Sequence, residues 1–284
     1  MLCNRRCFRG GAGVTWWCSF TGQPWTWSWQ AYPGAWLFVG ASIGAYWFIV
    51  RRSGGDGSWA IFGTGLAAAW IALDWPIGAL GAGYLLSVHQ LQYVLLVMIA
   101  APLILLGSPA GAFRTMLGRT YLRPLLTFVG KPLPAILLCN AIVVLTHFPA
   151  VVDGAMTSQI GSFLLDMAWL LAGFVLWWPV VQPVPEHQSL SYPARFVYLL
   201  VATLVPGLPS AFFFFARFPI YRTYELAPPM ALATMDDQFI GGIVMKLGSF
   251  VIILIALSIL FYRWHAADGG ARQKLVIPEP TFGS

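Results

Sequence analysis

The sequence predicts an all-α fold, a polytopic membrane helix bundle with about seven transmembrane helices, its N-terminus outside and its C-terminus inside. Three observations predict it. Hydrophobic residues make up 58% of the 284, and charged residues 9% where a soluble domain carries about 25%. The apolar residues gather into stretches close to the ~20 residues that a helix needs to cross a hydrocarbon core. Lysine and arginine are distributed unevenly between alternate connecting loops.

Residues 1–30 read as an interfacial segment, 31–265 as the seven-helix domain and 266–284 as a disordered cytoplasmic tail. The first segment lacks the continuous apolar run of a secretory signal, and Trp16, Trp17, Trp25, Trp27 and Trp29 suit a position at the membrane surface. The spans are expected near 33–50, 59–75, 84–107, 133–150, 159–181, 196–216 and 238–262. Pro134 and Pro206 are expected to start or bend their helices.

Orientation follows from the loops. Arg51, Arg52, Arg114, Arg119, Arg123, Lys131, Arg195, Arg263, Arg272 and Lys274 fall on one side. Arg217 and Arg222 fall on the other, with Arg5, Arg6 and Arg9 of the tail. The richer side is cytoplasmic by the positive-inside rule. Because these residues are scattered rather than clustered, the net charge of +6 points to membrane lipid and not to nucleic acid. The four cysteines form no CxxC pair. Cys139 reads as a small buried apolar residue, while Cys3 with Cys7 lack the supporting ligands that a soft-metal site needs.

The informative residues are the polar ones inside the spans, because ionisable groups cost about 2.5–3.5 kcal/mol each at a helix centre on insertion scales. His89, His147, Asp166, Asp236, Asp237, Gln238, Met245 and Lys246 all fall in the outer half. His89, Gln92 and Tyr93 stand at i, i+3 and i+4 and share a helix face. Two imidazoles with a thioether or carboxylate from other helices make a copper site, while satisfied structural histidines are the simpler reading. Met98 lies about 13 Å below His89, too far to share one ion. Asp166 and Lys246 lie at similar depth with opposite charge, so an ion pair is expected, with metal ligation or proton carriage by Asp166 as the alternative. Asp236 or Asp237 is expected to cap the seventh span, or to receive a cation or a partner.

Elsewhere, Glu186, His187 and His265 read as solvated or headgroup residues, and Phe212–Phe215 as lipid or interhelix packing. There is no nucleotide loop, nucleophile elbow or paired-histidine haem pattern, so the chain is expected not to be an enzyme.

Several segments in order carry a resemblance. They are Asp74-Trp75-Pro76, His89-Gln90-Leu91-Gln92-Tyr93 running into Ala101-Pro102-Leu103-Ile104-Leu105-Leu106-Gly107, Thr146-His147-Phe148-Pro149, Leu170-Leu171-Ala172-Gly173 with Trp177-Trp178-Pro179, and Asp236-Asp237-Gln238 with Met245. Over residues 25 to 265 the chain resembles the CtaG family of cytochrome c oxidase assembly factors, in the form associated with caa3-type oxidases. The resemblance implies a multi-pass protein of the bacterial plasma membrane that helps mature a haem–copper oxidase, handles copper for its active centre, and meets oxidase subunits and a copper donor. It places His89, His147, Asp237, Gln238 and Met245 on the family's polar positions. Three positions depart from the pattern: Tyr93 and Asp166 stand where histidines are common, and Lys246 where many members have tryptophan. Transport of copper, another cation or protons is the alternative function.

Overall fold

The structure, a computed structural model, describes residues 15–53, 57–184, 190–204 and 207–276, and among these every regular element is a helix. Cys3, Cys7, the three tail arginines, Glu186, His187 and Pro206 lie outside the described residues.

Fourteen helices follow one another: α1 (Pro33–Ser53), α2 (Trp59–Leu73), α3 (Ile77–Gly83), α4 (Leu86–Tyr93), α5 (Ala101–Gly107), α6 (Ala110–Gly118), α7 (Arg123–Val129), α8 (Pro132–Thr146), α9 (Pro149–Met156), α10 (Gln159–Val181), α11 (Tyr192–Ala202), α12 (Gly207–Phe215), α13 (Arg222–Glu225) and α14 (Thr234–Val276). Five stretches are long and apolar enough to cross a membrane: 33–52, 86–107, 159–181, 192–215 and 234–268. The number rises to seven if each of two bent pairs counts as one crossing, α2 with α3 at 45° and α7 with α8 at 89°. Alone, the 15 residues of α8 reach about 22 Å, short of a ~30 Å core.

The central span, 86–107, joins α4 to α5 through a π-helical stretch, Val94–Ala100. Pro102 explains the widening: it has no N–H to give, and its ring crowds the carbonyl one turn back. At this transition the Ala101 N–H reaches Leu96 O. Two glycines let neighbours close on this span. A Cβ on Gly65 of α2 would stand 2.8 Å from Ile104 N, and one on Gly173 of α10 would stand 2.6 Å from Ala101 Cβ.

The ends obey local chemistry. Ser58 caps α2 through Ile61 N, and Ser158 caps α10 through Gly161 N. Prolines open α8 and α9 at their first turns, where a missing N–H costs nothing. Thr146 closes α8 as the following His147-Phe148-Pro149 requires. The last helix continues past the expected boundary at 265, with helical backbone to Val276; residues 277–284 lie outside the described residues.

Residues 15–32 do more than rest on a surface. The Trp16 and Trp17 N–H groups both donate to Gln159 Oε1, Phe20 N donates to Met156 O, and Gly34 N donates to Trp16 O. Trp17 and Cys18 are buried, while Trp27 and Trp29 are exposed. The segment thus packs down onto α10 and α9 at the end of the bundle that carries the histidines. Asp74 fastens α1 to α2 nearby, accepting both Trp36 Nε1 and Trp70 Nε1 at 2.8 Å.

Candidate functional site

The site is built around Trp169 of α10. His89 of α4 lies against its ring with centroids 4.6 Å apart, and His147 stacks on it at 5.6 Å and 26°. Tyr93, one turn after His89, meets the same indole at 5.6 Å and the His147 ring at 5.2 Å. Trp169 Nε1 donates to Thr146 Oγ1 at 2.9 Å, which fixes the indole beside the end of α8. Both imidazoles are buried, His89 with 1% and His147 with 6% of its surface exposed.

The two histidines differ in their partners. His147 Nδ1 lies 2.8 Å from Val143 O, and since a carbonyl only accepts, Nδ1 carries the proton. Its Nε2 lies 3.2 Å from Gln90 Oε1, while Gln90 Nε2 lacks a partner. Turning that amide over gives Nε2 a donor and keeps the imidazole neutral, as its burial favours. His89 instead has neither ring nitrogen hydrogen-bonded, although both are buried. Unpaired buried polar atoms are uncommon, and two on one imidazole mark a group with coordination capacity to spare.

A short segment covers this pocket. Tyr224 of α13 lies 5.8 Å from the His89 ring and donates its hydroxyl to Gly81 O. Tyr221 donates to His147 O at 2.9 Å. Asp153 of α9 holds α13 from outside, accepting Arg222 N, Thr223 N and Thr223 Oγ1. Burial and the neighbouring acids push both tyrosine hydroxyls of this cover upward, so they remain proton donors.

The remaining expected site residues are elsewhere. Asp237 does not cap its own helix: its carboxylate accepts Leu86 N, Ser87 N and Ser87 Oγ, capping α4 three residues before His89. Asp236 is exposed. Gln238 accepts Ile220 N and donates to Phe218 O, clamping the strand of chain that leads into the cover. Gln92 donates to Ala72 O and so ties α4 to α2, with its side chain still beside His89. Met245 lines a cavity with Tyr93 and Met98.

The expected pair of Asp166 with Lys246 is not formed. Asp166 is buried and accepts Trp17 Nε1 at 2.8 Å, whereas Lys246 is exposed beside the start of α12. Successive helix residues diverge by about 100°, so Lys246 is exposed and turned toward the start of α12 while its neighbour Met245 is buried. Among the described residues, no three His, Cys, Asp or Glu side chains come together to hold a metal. The candidate set therefore splits into a histidine pair, two structural carboxylates and a thioether in a separate cavity.

Trp169, Tyr221, Tyr224 and Asp153 complete the site and were not singled out by the sequence, which read Gln90 only within a motif and Trp17 only as an interfacial aromatic. Trp169 had one signal, standing at i+3 from Asp166 on the same face of α10. The others depend on contacts between distant parts of the chain.

Comparison with known proteins adds the family. Two uncharacterized proteins, from Mycobacterium bovis and Mycobacterium tuberculosis, are each 25% identical over 257 residues, covering 73% of this chain. The chain spans only 38% of the length of these relatives. No solved structure matches. The sequence model of the cytochrome c oxidase caa3 assembly factor family matches residues 44–267, which include every member of the histidine pocket, and the chain belongs to that family.

Proposed function

We propose that this chain assists the assembly of a haem–copper cytochrome c oxidase in a bacterial plasma membrane, without catalysing a reaction itself, and that it handles copper as cargo at His89 and His147. Its membership of the caa3 assembly factor family supports the assembly role. One observation carries the copper role: a buried pair of imidazoles on one indole, of which His89 has both nitrogens unbonded. Imidazole suits copper, and a two-nitrogen set without a carboxylate is suited to holding an ion weakly enough to release it. Asp237 and Asp166 serve this reading by positioning: one caps the helix carrying His89, the other anchors the N-terminal segment near Trp169.

The chain is read as crossing the membrane seven times, with the N-terminus outside. Ten of its basic residues fall at helix ends and connections that the sequence assigns to the side opposite the histidine pocket, which supports that orientation. Oxidase subunits and a soluble copper donor are the partners this role requires. The transport reading draws no support from the fold or the family.

Copper content after anaerobic Cu(I) loading of the purified protein tests the copper role. About one copper per chain in the wild type, lost in His89→Ala, is expected. Copper at background in the wild type ends the copper role and leaves assembly to be tested on its own, by oxidase activity and haem–copper spectra in a deletion strain. Unchanged spectra and activity there end the assembly role.

A further inference from the structure

A second site shares Tyr93 with the histidine pocket but neither of its imidazoles. A cavity of about 300 Å³ opens between α11, α12 and α14, and Tyr93, Met98, Cys139, Met245, Lys246 and Ser249 are among its lining residues. Among the described residues the rest of its wall is almost wholly aliphatic or aromatic, no acidic side chain lines it, and Lys246 is its one charged group. It stands twelve residues into α14, about 18 Å along the helix, flanked by the exposed apolar Leu247 and Phe250. That places an ammonium deep in the apolar stretch of a span.

Such a charge is costly unless something neutralises it. Asp166, the expected partner, is bonded to Trp17, and no ion pair is formed by Lys246 among the described residues. Its Nζ lies instead beside Gly207, 2.9 Å from where a Cβ would stand. Gly207 begins α12, whose own positive end adds to the lysine's charge there rather than offsetting it. A cation is therefore a poor occupant, despite the sulfurs of Met98, Met245 and Cys139 on the inner wall. Polarizable, flexible thioethers are equally at home against a hydrocarbon chain.

We propose that this cavity binds an anionic amphiphile from the membrane, with one acyl chain along the Met98–Cys139–Met245 wall and the acidic head on Lys246. The chemistry is that of a carboxylate or phosphate joined to a long apolar chain, supplied either by a free fatty acid or by an anionic phospholipid. Lys246 supplies the charge match and the cavity supplies the volume for the chain. This site is independent of copper: a Lys246 substitution leaves the His89 copper stoichiometry unchanged, so the two readings fail separately.

The test uses the purified full chain in neutral detergent and the fluorescent fatty acid cis-parinarate. Saturable binding of about one probe per chain is expected, displaced by oleate and at least ten-fold less effectively by oleyl alcohol, its uncharged analogue. Lys246→Gln weakens binding ten-fold or more, while Lys246→Arg stays within about three-fold. Because Lys246 is exposed, neither change disturbs the core. Ser249→Trp, which fills the cavity, abolishes binding with the lysine intact, and its melting temperature checks that the protein is folded. Phosphatidylglycerol displacing at lower concentration than oleate assigns the phospholipid as source, and the reverse assigns the fatty acid. Non-saturable binding, equal affinity in Lys246→Gln, or equal displacement by oleate and oleyl alcohol overturns the proposal.

Discussion

Asp237, near the start of the last helix, caps the helix that begins at Leu86, 151 residues earlier, and so fixes the backbone three residues before His89. A helix start leaves N–H groups without partners, and inside a membrane no water replaces them. One carboxylate meets two of those N–H groups and the Ser87 hydroxyl, and its charge complements the positive end of α4.

Asp237→Ala strips this cap and leaves buried donors unpaired, at a cost of about 2 kcal/mol. Asp237→Asn keeps one acceptor and loses less. Thermal unfolding in detergent orders the three proteins as wild type, Asn, then Ala. If Ala unfolds with the wild type, the cap is not structural.

The partnership of Asp166 with Trp17 predicts coupling where the ion pair with Lys246 predicts none. A double-mutant cycle of Asp166→Ala with Trp17→Phe gives an interaction of about 0.5–3 kcal/mol. The cycle of Asp166→Ala with Lys246→Ala is additive within about 0.5 kcal/mol. The reverse pattern would restore the ion pair and remove the anchor for the N-terminal segment.

These two carboxylates show where the sequence could be read and where it could not. The positions of five spans were legible because apolar run length is a local property, and the stop after Thr146 because Pro149 is local too. The shared face of His89 and Tyr93 followed from helical periodicity, and both do touch Trp169. Depth along a span was legible for Asp166 and Lys246, but rotation about the helix axis was not. Equal depth suggested a pair; azimuth sends one to Trp17 and the other toward the start of α12. Asp237 followed the local rule that an acid at a helix start caps that helix, and a tertiary contact overrode it. The bonds that assemble the pocket join residues far apart in the chain, such as Gln90 with His147, and no periodicity encodes them.

The His147 tautomer is a direct reading of its hydrogen bonds. With Nδ1 donating to Val143 O, nitrogen-15 spectra of labelled protein show the Nδ1–H form, and Gln90→Leu perturbs the Nε2 resonance while leaving Nδ1–H in place. An Nε2–H signal without an Nδ1–H signal in the wild type would mean that Gln90 accepts and that the Val143 contact is not a hydrogen bond.

The cover over His89 is held by Asp153 from one side and by the Tyr224 hydroxyl from the other. Neither residue is in the histidine pair, so loosening them tests access rather than ligation. Asp153→Ala removes the acceptor of two backbone N–H groups and a hydroxyl at α13, freeing the segment that carries Tyr221 and Tyr224. Local opening then becomes more frequent, since that segment's stability rests on few contacts. Modification of His89 by diethylpyrocarbonate, read by mass spectrometry, rises several-fold in Asp153→Ala and in Tyr224→Phe, while exposed His265 reacts at an unchanged rate as the internal standard. Equal His89 rates in all three proteins would place the route to the imidazoles elsewhere, away from α13.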